Sequence, residues 1–296
     1  MRNFSETTIT GAVLQRLQAT PDPRVRHISE ALVRHLHAFV REIEPTQEEW
    51  SAAIGFLTRT GHLCTQTRQE FILLSDALGV SMLVDAINHR KPAGATETTV
   101  LGPFYVEGPR EFADGADISG GMTGTPMLVR GMVAGTDGRP LRGAVLDVWH
   151  ADEGGFYDVQ HAPEARAGRG RLLTDAEGRF RFWSVRPSSY PIPHDGTVGA
   201  MLAAQGRHPY RPAHVHFIVT AAGFEPLVTH LFIAGDPYLD SDVVFGVKDS
   251  IIVDLVDHPP GTAPDGRVVP EAYVELSYDF RLAPAGPCPA PPGGPA

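Results

Sequence analysis

The spacing of apolar residues changes once along the chain, near Lys91, and this change limits the folds that are available. Before it, apolar side chains recur at steps of three and four residues, the period of one helical face. After it, short segments between turns alternate apolar and polar residues, the period of a half-buried strand. Because no helical pattern interrupts the strands, the sequence predicts an α+β fold that is mainly β, an antiparallel β-sandwich with an N-terminal helical layer.

Three helices are predicted in the first third of the chain. The first lies between Pro23 and Pro45, and Thr46 and Glu49 form a capping box that begins the second. The third is expected over 66–88. The apolar face of the first helix would consist of Val25, Ile28, Leu32, Leu36, Val40 and Ile43. The inward-facing residues of the third would be Phe71, Leu74, Leu78 and Leu83.

Alternation predicts the strands of the sandwich and, with them, the domains. Strands are expected at 127–133, 144–149, 179–183, 213–219, 227–233 and 272–280. The first two flank a turn at Thr136-Asp137-Gly138, which is typical of a β-hairpin. We expect a helical dimerisation or linker domain over 1–105, a β-sandwich catalytic domain over 106–285 and a flexible Pro/Gly tail over 286–296.

Charge and composition exclude several classes of partner. The formal net charge is -10 and no basic stripe is present, which argues against nucleic-acid binding. No apolar run approaches the ~20 residues of a membrane span, and the N-terminus lacks a signal-peptide pattern. The two cysteines, Cys64 and Cys288, are far apart and outside any CxxC motif. These features favour a cytoplasmic protein in a reducing compartment.

A predicted strand carries His214 and His216 two residues apart. Alternate residues of a strand project from the same face, so both imidazoles could reach one metal ion. The alternative is a pair of ordinary half-buried histidines. The pair alone does not choose between zinc, copper, manganese and iron.

Tyrosines are the candidates for the anionic ligands of such a metal. No 2-His-1-carboxylate partner is evident near the histidines. Tyr157 and Tyr190 each lie just beyond a predicted strand. Tyr105, Tyr210 and Tyr238 are equally visible, and the residues alone do not rank the five.

Six short blocks in a fixed order make the chain resemble the intradiol catechol dioxygenases. The blocks are Leu101-Gly102-Pro103-Phe104-Tyr105, Asp147-Val148-Trp149-His150-Ala151, Gly155-Phe156-Tyr157, Tyr190-Pro191-Ile192-Pro193, Arg211-Pro212-Ala213-His214-Val215-His216 and Ala234-Gly235-Asp236-Pro237-Tyr238. Each block is weak alone, but their order and spacing are specific, and the resemblance covers 70–280. Over 96–104 and 227–246 the chain is most similar to the hydroxyquinol-cleaving members.

The resemblance implies that Tyr157, Tyr190, His214 and His216 hold one iron(III) ion per subunit. A bound trivalent cation favours the phenolate form of tyrosine, whose free pKa is ~10. The implied reaction uses O2 to cut an aromatic ring between two hydroxyl-bearing carbons. Hydroxyquinol would give 3-hydroxy-cis,cis-muconate or maleylacetate, and catechol or a chlorocatechol is the alternative substrate.

Three side chains would take part in catalysis if the resemblance holds. Tyr190 would leave the metal and take up a substrate proton, while Arg211 would stabilise negative charge on the ring. His230 stands where catechol-cleaving relatives carry a glutamine that assists the arginine, and it could donate the same hydrogen bond. A surface salt bridge for Arg211 and a packed core position for His230 are the alternatives.

A substrate pocket is also implied by the resemblance. Its residues would be Leu73, Asp76, Val100, Leu101, Gly102, Pro103, Phe104, Ile192, Pro193 and Val244. Most are apolar, as expected of a slot for a flat ring. Asp76 is the exception, and our hypothesis is that it binds the third hydroxyl of hydroxyquinol. The alternative is an exposed helical acid.

Other functions and assemblies remain open at this point. The same histidine strand could serve a zinc hydrolase, and a non-catalytic sandwich module could carry the tyrosines as surface aromatics. An iron(III) phenolate centre would colour the protein red to purple, whereas these two would be colourless. By resemblance, the helical layer would form a homodimer and could enclose a lipid.

Overall fold

The structure, a computed structural model, describes residues 3–65, 68–161 and 166–286. The chain divides into two compact units, Met1–His62 and Leu63–Ala296. Cys288 and nearly all of the predicted tail lie outside the described residues.

The first unit contains three helices whose ends follow from local sequence. They are α1 (Ile9–Leu17), α2 (Pro23–Ile43) and α3 (Gln47–His62). Asp22 caps α2, because its carboxylate accepts the amides of Arg24 at 2.7 Å and Val25 at 3.1 Å. The predicted capping box precedes α3: the Thr46 amide donates to Glu49 at 2.8 Å, and the Glu49 amide donates to the Thr46 hydroxyl at 3.2 Å. α1 was not predicted.

The predicted apolar face of α2 is present, but the single chain leaves it uncovered. Leu32 is 57% exposed and Leu36 is 51% exposed, and no residue of this helix is buried. Contiguous exposed apolar surface of this kind marks an interaction site. None of the helices in the described part of the chain has the length and hydrophobicity that a membrane crossing would need.

The third predicted helix is in fact two, α4 (Glu70–Ala77) and α5 (Val80–Asn88). Gly79 separates them with a φ of +73°, a left-handed conformation that glycine adopts without strain. Of the four residues predicted to face inward, only Leu74 packs against a buried cluster, where it is half-buried. Phe71, Leu78 and Leu83 are exposed, whereas Leu73 and Ala77 are buried. Four consecutive apolar residues at 71–74 do not define a face by themselves, which explains the error.

The described part of the second unit contains fourteen strands and, besides α4 and α5, two further helices. The strands are β1 (Pro126–Gly135), β2 (Val145–His150), β3 (Arg169–Leu173), β4 (Arg179–Val185), β5 (Tyr190–Pro191), β6 (Tyr210–Arg211), β7 (His214–Thr220), β8 (Leu227–Ile233), β9 (Ile252–Val253), β10 (Leu255–His258), β11 (Gly261–Thr262), β12 (Val268–Val269), β13 (Tyr273–Ser277) and β14 (Phe280–Leu282). The helices are α6 (Asp158–His161) and α7 (Thr197–Ala204).

Two five-stranded sheets form the predicted sandwich. One has the order β10-β13-β1-β14, with β4 also paired to β1, and the other has the order β3-β2-β7-β8-β9. Most pairings are antiparallel, as predicted, but β1 runs parallel to β13 and β14, and β8 runs parallel to β9. The sheets are therefore mixed. The parallel pairs join strands far apart in the chain, which local alternation does not reveal.

The hairpin prediction was wrong, although its turn exists. The Gly138 amide donates to the Gly135 carbonyl at 2.9 Å, and the Leu141 amide donates to Val133 at 2.8 Å. The chain thus returns along β1 only briefly before it enters the other sheet as β2. The predicted strand at 272–280 is likewise two strands, β13 and β14.

The core lies between the two sheets. Val129 of β1 and Phe182 of β4 belong to the same buried cluster as Leu146 of β2 and Phe217 of β7. Val215 and Val219 also belong to it. Because side chains alternate along β7, the histidines of this strand lie on the opposite face of the sheet.

Candidate metal centre

The strand ladder arranges His214 and His216 among other aromatic side chains. His216 pairs with Trp149 of β2 on one side and with His230 of β8 on the other. Residues directly opposite each other in a ladder share a face, so these three rings form a row across the sheet. Trp149 stacks on His216 with ring centroids 4.6 Å apart, and His230 stacks on His214 at 4.7 Å. All four side chains are buried.

Two loops carry the tyrosines to this row. Tyr157 lies between the turn that follows β2 and the short helix α6. Tyr190 begins β5 and pairs with Arg211 of β6. Both phenol rings are buried, and Phe104 stacks on Tyr157 with ring centroids 4.4 Å apart.

The four predicted ligand atoms converge at one point. The Tyr157 hydroxyl oxygen lies 2.8 Å from Nε2 of His216, 3.4 Å from Nε2 of His214 and 3.3 Å from the Tyr190 hydroxyl. The two Nε2 atoms are 3.1 Å apart. The structure therefore brings together Tyr157, Tyr190, His214 and His216, from three separate segments of the chain.

The protonation of the imidazoles suits metal binding. Nδ1 of His214 lies 2.6 Å from the Pro212 carbonyl, so this nitrogen carries the proton and Nε2 presents a lone pair. Burial, aided by the nearby Arg211, lowers the pKa of His214 to about 3. Burial also lowers the pKa of His216. Two neutral imidazoles with Nε2 atoms this close repel each other unless a cation or a shared proton lies between them.

The surroundings of Tyr157 also suit metal binding. Burial raises the pKa of Tyr157 well above its ordinary value, and the neighbouring Tyr190 raises it further. A buried phenol of this kind ionises only when a strong positive charge is at hand. Two tyrosine oxygens and two imidazole nitrogens are a donor set suited to a hard trivalent cation, so the residues present fit iron(III).

A buried ion pair lies beside the four ligand atoms. Arg211 donates from Nε to Oδ1 of Asp242 at 3.1 Å and from Nη2 to Oδ2 at 3.2 Å. Its Nη1 lies 3.3 Å from Nε2 of His214, and its Nη2 lies 3.4 Å from Nδ1 of His230. Burial opposes the charge of Arg211, but Asp242 and Tyr190 raise its pKa above the ordinary value. The surface-salt-bridge alternative for Arg211 is therefore wrong.

His230 is buried and neutral. Burial, followed by the charges of His214 and Arg211, lowers its pKa well below the ordinary value. Its Nδ1 faces Arg211, and the backbone of Val100 partly offsets the lowering of its pKa. His214, His216 and His230 form a cluster in which one ring nitrogen from each residue lies within 4.8 Å of the other two. The structure thus places His230 in contact with both predicted histidine ligands.

The predicted pocket residues fall into two groups. One group lines a cavity of about 890 Å³ and consists of Asp76, Val100, Leu101, Gly102, Pro103 and Phe104. The other packs in one apolar cluster and consists of Leu73, Ile192 and Val244, with Val100 against it. Pro193 follows Ile192 and is half-buried. Asp76 is buried, so it is not an exposed helical acid.

The rival tyrosines have other contacts. The Tyr105 hydroxyl donates to Asp147 at 3.2 Å. Tyr210 and Tyr238 stack on each other with ring centroids 4.7 Å apart.

Two acidic residues of the site were missed by the sequence reasoning. Asp242 holds Arg211, and Asp158, next to Tyr157, accepts Nε of the buried Arg169 at 3.0 Å. Arg169 also donates to the Phe104 carbonyl at 2.9 Å, which links Phe104 to the loop of Tyr157. Neither acid lies in a metal-binding spacing. Only the position of Asp158 directly after Tyr157 could have drawn attention to it.

Comparisons with known proteins agree with this geometry. A family described as Dioxygenase matches residues 100–284, and one described as Catechol dioxygenase N terminus matches 22–96. The chain is 49% identical to hydroxyquinol 1,2-dioxygenase of Nocardioides simplex, over 95% of this chain and 96% of the relative. It is 50% identical to 6-chlorohydroxyquinol 1,2-dioxygenase of Cupriavidus pinatubonensis, over 96% and 99%.

A solved structure shares the fold. The hydroxyquinol 1,2-dioxygenase of Pseudomonas putida DLL-E4 superposes with a TM-score of 0.90 at 47% identity, covering 95% of this chain and 99% of that one. These matches decide against the zinc hydrolase and the non-catalytic module. Both the site and the matches lead to one conclusion: the chain belongs to the intradiol ring-cleavage dioxygenases, a family of enzymes.

Proposed function

We propose that this enzyme cleaves hydroxyquinol with O2 between two hydroxyl-bearing carbons, yielding 3-hydroxy-cis,cis-muconate or maleylacetate. The observation that carries the proposal is the convergence of two tyrosine hydroxyls and two imidazoles beside the buried Arg211. The names of the relatives support hydroxyquinol over catechol or a chlorocatechol.

One iron(III) ion per subunit would be held by Tyr157, Tyr190, His214 and His216. When bound, it would supply the Lewis acidity that draws electron density from the diol. The protein's contribution is a fixed and dry donor set, since all four side chains are buried.

Tyr190 would accept a proton from the substrate, and Arg211 would stabilise negative charge on the ring. The Tyr190 hydroxyl oxygen is the natural acceptor for a proton from a substrate hydroxyl, because it lies next to Tyr157 and opposite Arg211. Arg211 keeps its charge in the interior, so it can stabilise negative charge that develops on the ring. A neutral His230 would assist Arg211 in the role that glutamine has in catechol-cleaving relatives.

Phe104 and its neighbours would grip the ring. Phe104 stacks on Tyr157 and lines the cavity together with the segment from Val100 to Pro103. The apolar cluster of Leu73, Ile192 and Val244 would close the slot near Val100. A flat aromatic ligand is well matched to such a lining.

The direct test is an assay of the iron-loaded protein with hydroxyquinol and catechol side by side. Oxygen uptake and product absorbance should show faster turnover of hydroxyquinol. Faster turnover of catechol would instead favour the alternative substrate. A colourless protein without oxygen uptake on either diol would contradict the proposal.

Asp76 would select the third hydroxyl. It is buried and lines the cavity, and burial raises its pKa although Ser81 and Arg211 oppose this. Ser81 already donates one hydrogen bond to this buried carboxyl, which has further acceptor positions, and the third hydroxyl would donate another. Asp76→Ala should reduce the preference for hydroxyquinol over catechol, and Asp76→Asn should retain part of it. An unchanged ratio of kcat/KM for the two diols would retire the idea.

A homodimer formed through the helical layer is the assembly that we propose. The uncovered apolar face of α2 supports it, since a solvated face of this size is costly. A bound lipid could cover part of the same face. Mass measurement of the purified protein, with and without organic extraction, tests both ideas.

A further inference from the structure

Asp242 is fully engaged by donors of two kinds. Its carboxylate accepts both hydrogen bonds from Arg211 and also the amides of Val244 at 3.4 Å and Gly246 at 2.9 Å. The side chains of Asp242 and Arg211 are 2% and 3% exposed. Burial raises the pKa of Asp242, but the adjacent Arg211 more than offsets this and lowers it overall, so the pair is ionised.

The same carboxylate connects two parts of the active site. On one side, Arg211 reaches Nε2 of His214 and Nδ1 of His230. On the other, the loop from Asp242 to Gly246 wraps around the carboxylate and carries Val244 into the apolar cluster. Asp242 therefore fixes the position of the Arg211 guanidinium relative to the loop that carries Val244.

The packing at Gly246 is tight around this contact. A methyl group at that position would lie 2.9 Å from the Thr99 hydroxyl, 3.0 Å from Nη2 of Arg211 and 3.2 Å from Oδ2 of Asp242. At Gly246, where the loop contacts the Arg211–Asp242 ion pair, there is thus no room for a side chain larger than hydrogen. A methyl group there would push against the Thr99 hydroxyl and against both members of the ion pair without altering any charge.

We propose that Asp242 is a positioning residue for ring cleavage, which sets the orientation of Arg211 and the placement of Val244. It touches no substrate and acts through these two residues. This inference rests on the proposed function, since Arg211 must stabilise charge on a bound diol for its orientation to matter. A free buried guanidinium would turn towards other acceptors, so loss of the carboxylate should impair catalysis more than binding.

The test compares Asp242→Asn with Gly246→Ala, each as the full-length iron-loaded protein. Asp242→Asn removes the negative charge of the side chain but keeps its shape. Gly246→Ala disturbs the contact between the loop and the ion pair without changing any charge. Glu275→Gln is the matched control, because Glu275 is a buried acid whose partner, Arg130, lies on β1. For each protein, kcat and KM are measured with hydroxyquinol, and the diol dissociation constant is measured without oxygen from the spectral change.

We expect kcat to fall at least about tenfold in both site variants, with less than about threefold change in the anaerobic dissociation constant. The control should keep wild-type values for both quantities. An Asp242→Asn protein that binds iron and turns over within twofold of wild type would overturn the inference. If that variant does not fold, an unchanged kcat in folded Gly246→Ala overturns it instead. A wild-type protein that cleaves no diol would contradict the proposed function, not the role of Asp242 within it.

Discussion

Tyrosines become metal ligands through their surroundings. Tyr157 is buried and Tyr105 is half-buried. The hydroxyl of Tyr157 faces two imidazole nitrogens, whereas the hydroxyl of Tyr105 faces the Asp147 carboxylate. A phenol beside imidazole lone pairs can release its proton when a cation binds there. Burial raises the pKa of Tyr105, and the neighbouring Asp147 carboxylate raises it further.

Substitution of these two tyrosines should therefore have opposite results. Tyr157→Phe should leave only the Tyr190 share of the phenolate-to-iron absorbance, so the colour should weaken and shift, and ring cleavage should fall to background. Tyr105→Phe should retain the colour and the bound iron. Iron content by elemental analysis and the visible spectrum are the measurements. A fully coloured Tyr157→Phe protein would remove this residue from the ligand set.

Asp265 gives a prediction about pH and stability. Burial raises its pKa, but the Trp183 indole N–H at 2.7 Å and the Arg267 amide at 3.0 Å more than offset this, so the pKa is lowered overall. The contribution of such an acid is present above its unfolded pKa and is lost as the pH falls through the folded value.

Asp265→Ala should accordingly reduce the free energy of unfolding by about 1 kcal/mol at pH 7. The difference between wild type and variant should shrink below about pH 4, near the unfolded pKa of aspartate. Urea unfolding of the metal-free proteins at the two pH values measures it. An equal loss of unfolding free energy at both pH values would show that the charge of Asp265 does not contribute to stability.

How much of the site the sequence predicts depends on the residue. His214 and His216 could be paired from spacing alone, because a strand puts alternate residues on one face. Tyr157 and Tyr190 could be chosen from five tyrosines only through the family resemblance. Asp242 could not be found, since its role arises from a contact with Arg211 across 31 positions of sequence.

At the scale of elements, the segment that covers His216 is shaped by one glycine. Gly102 has a φ of +77°, and a methyl group there would lie 3.1 Å from Cε1 of His216. Gly235 offers a matched comparison, because its φ is +78° and nothing lies within 4 Å of the same position. Alanine at either site carries the same backbone strain, of about 1 kcal/mol.

Gly102→Ala and Gly235→Ala should thus lose similar stability but differ at the metal. We expect weaker iron retention and lower kcat only in Gly102→Ala, because only that change displaces His216. Thermal unfolding of the metal-free proteins checks the first part, and dialysis against a chelator checks the second. Equal iron loss from both proteins would mean that backbone strain alone is responsible.

Elements were predictable where a signal is local. The capping box at Thr46 and the turn at Gly138 depend on neighbouring residues, and the structure contains both. The strand partners of β1 are β4, β13 and β14, none of which follows β1 directly in the chain, so the hairpin prediction failed. The break at Gly79 was missed because the apolar pattern continues on both sides of it.

At the scale of the whole molecule, the uncovered face of α2 predicts how the chain associates. Leu32→Glu places a charge in the centre of that face and should raise the dissociation constant of the proposed dimer at least about tenfold. Arg34→Gln on the same helix removes only an exposed ion pair with Glu30 and should leave the dimer intact. Sedimentation at several concentrations distinguishes the two, and a Leu32→Glu protein that remains dimeric would place the contact elsewhere.

The parallel pairing of β1 with β13 and β14 has a consequence for synthesis. Met127 pairs with Val274, and Val133 pairs with Phe280, so β1 receives two of its neighbours from residues that are translated much later than β1 itself. Until then the nascent chain presents an open strand edge, with which chaperones and other polypeptides can pair. Messages truncated before codon 280 should consequently yield aggregates, even though every predicted ligand of the iron has already been made.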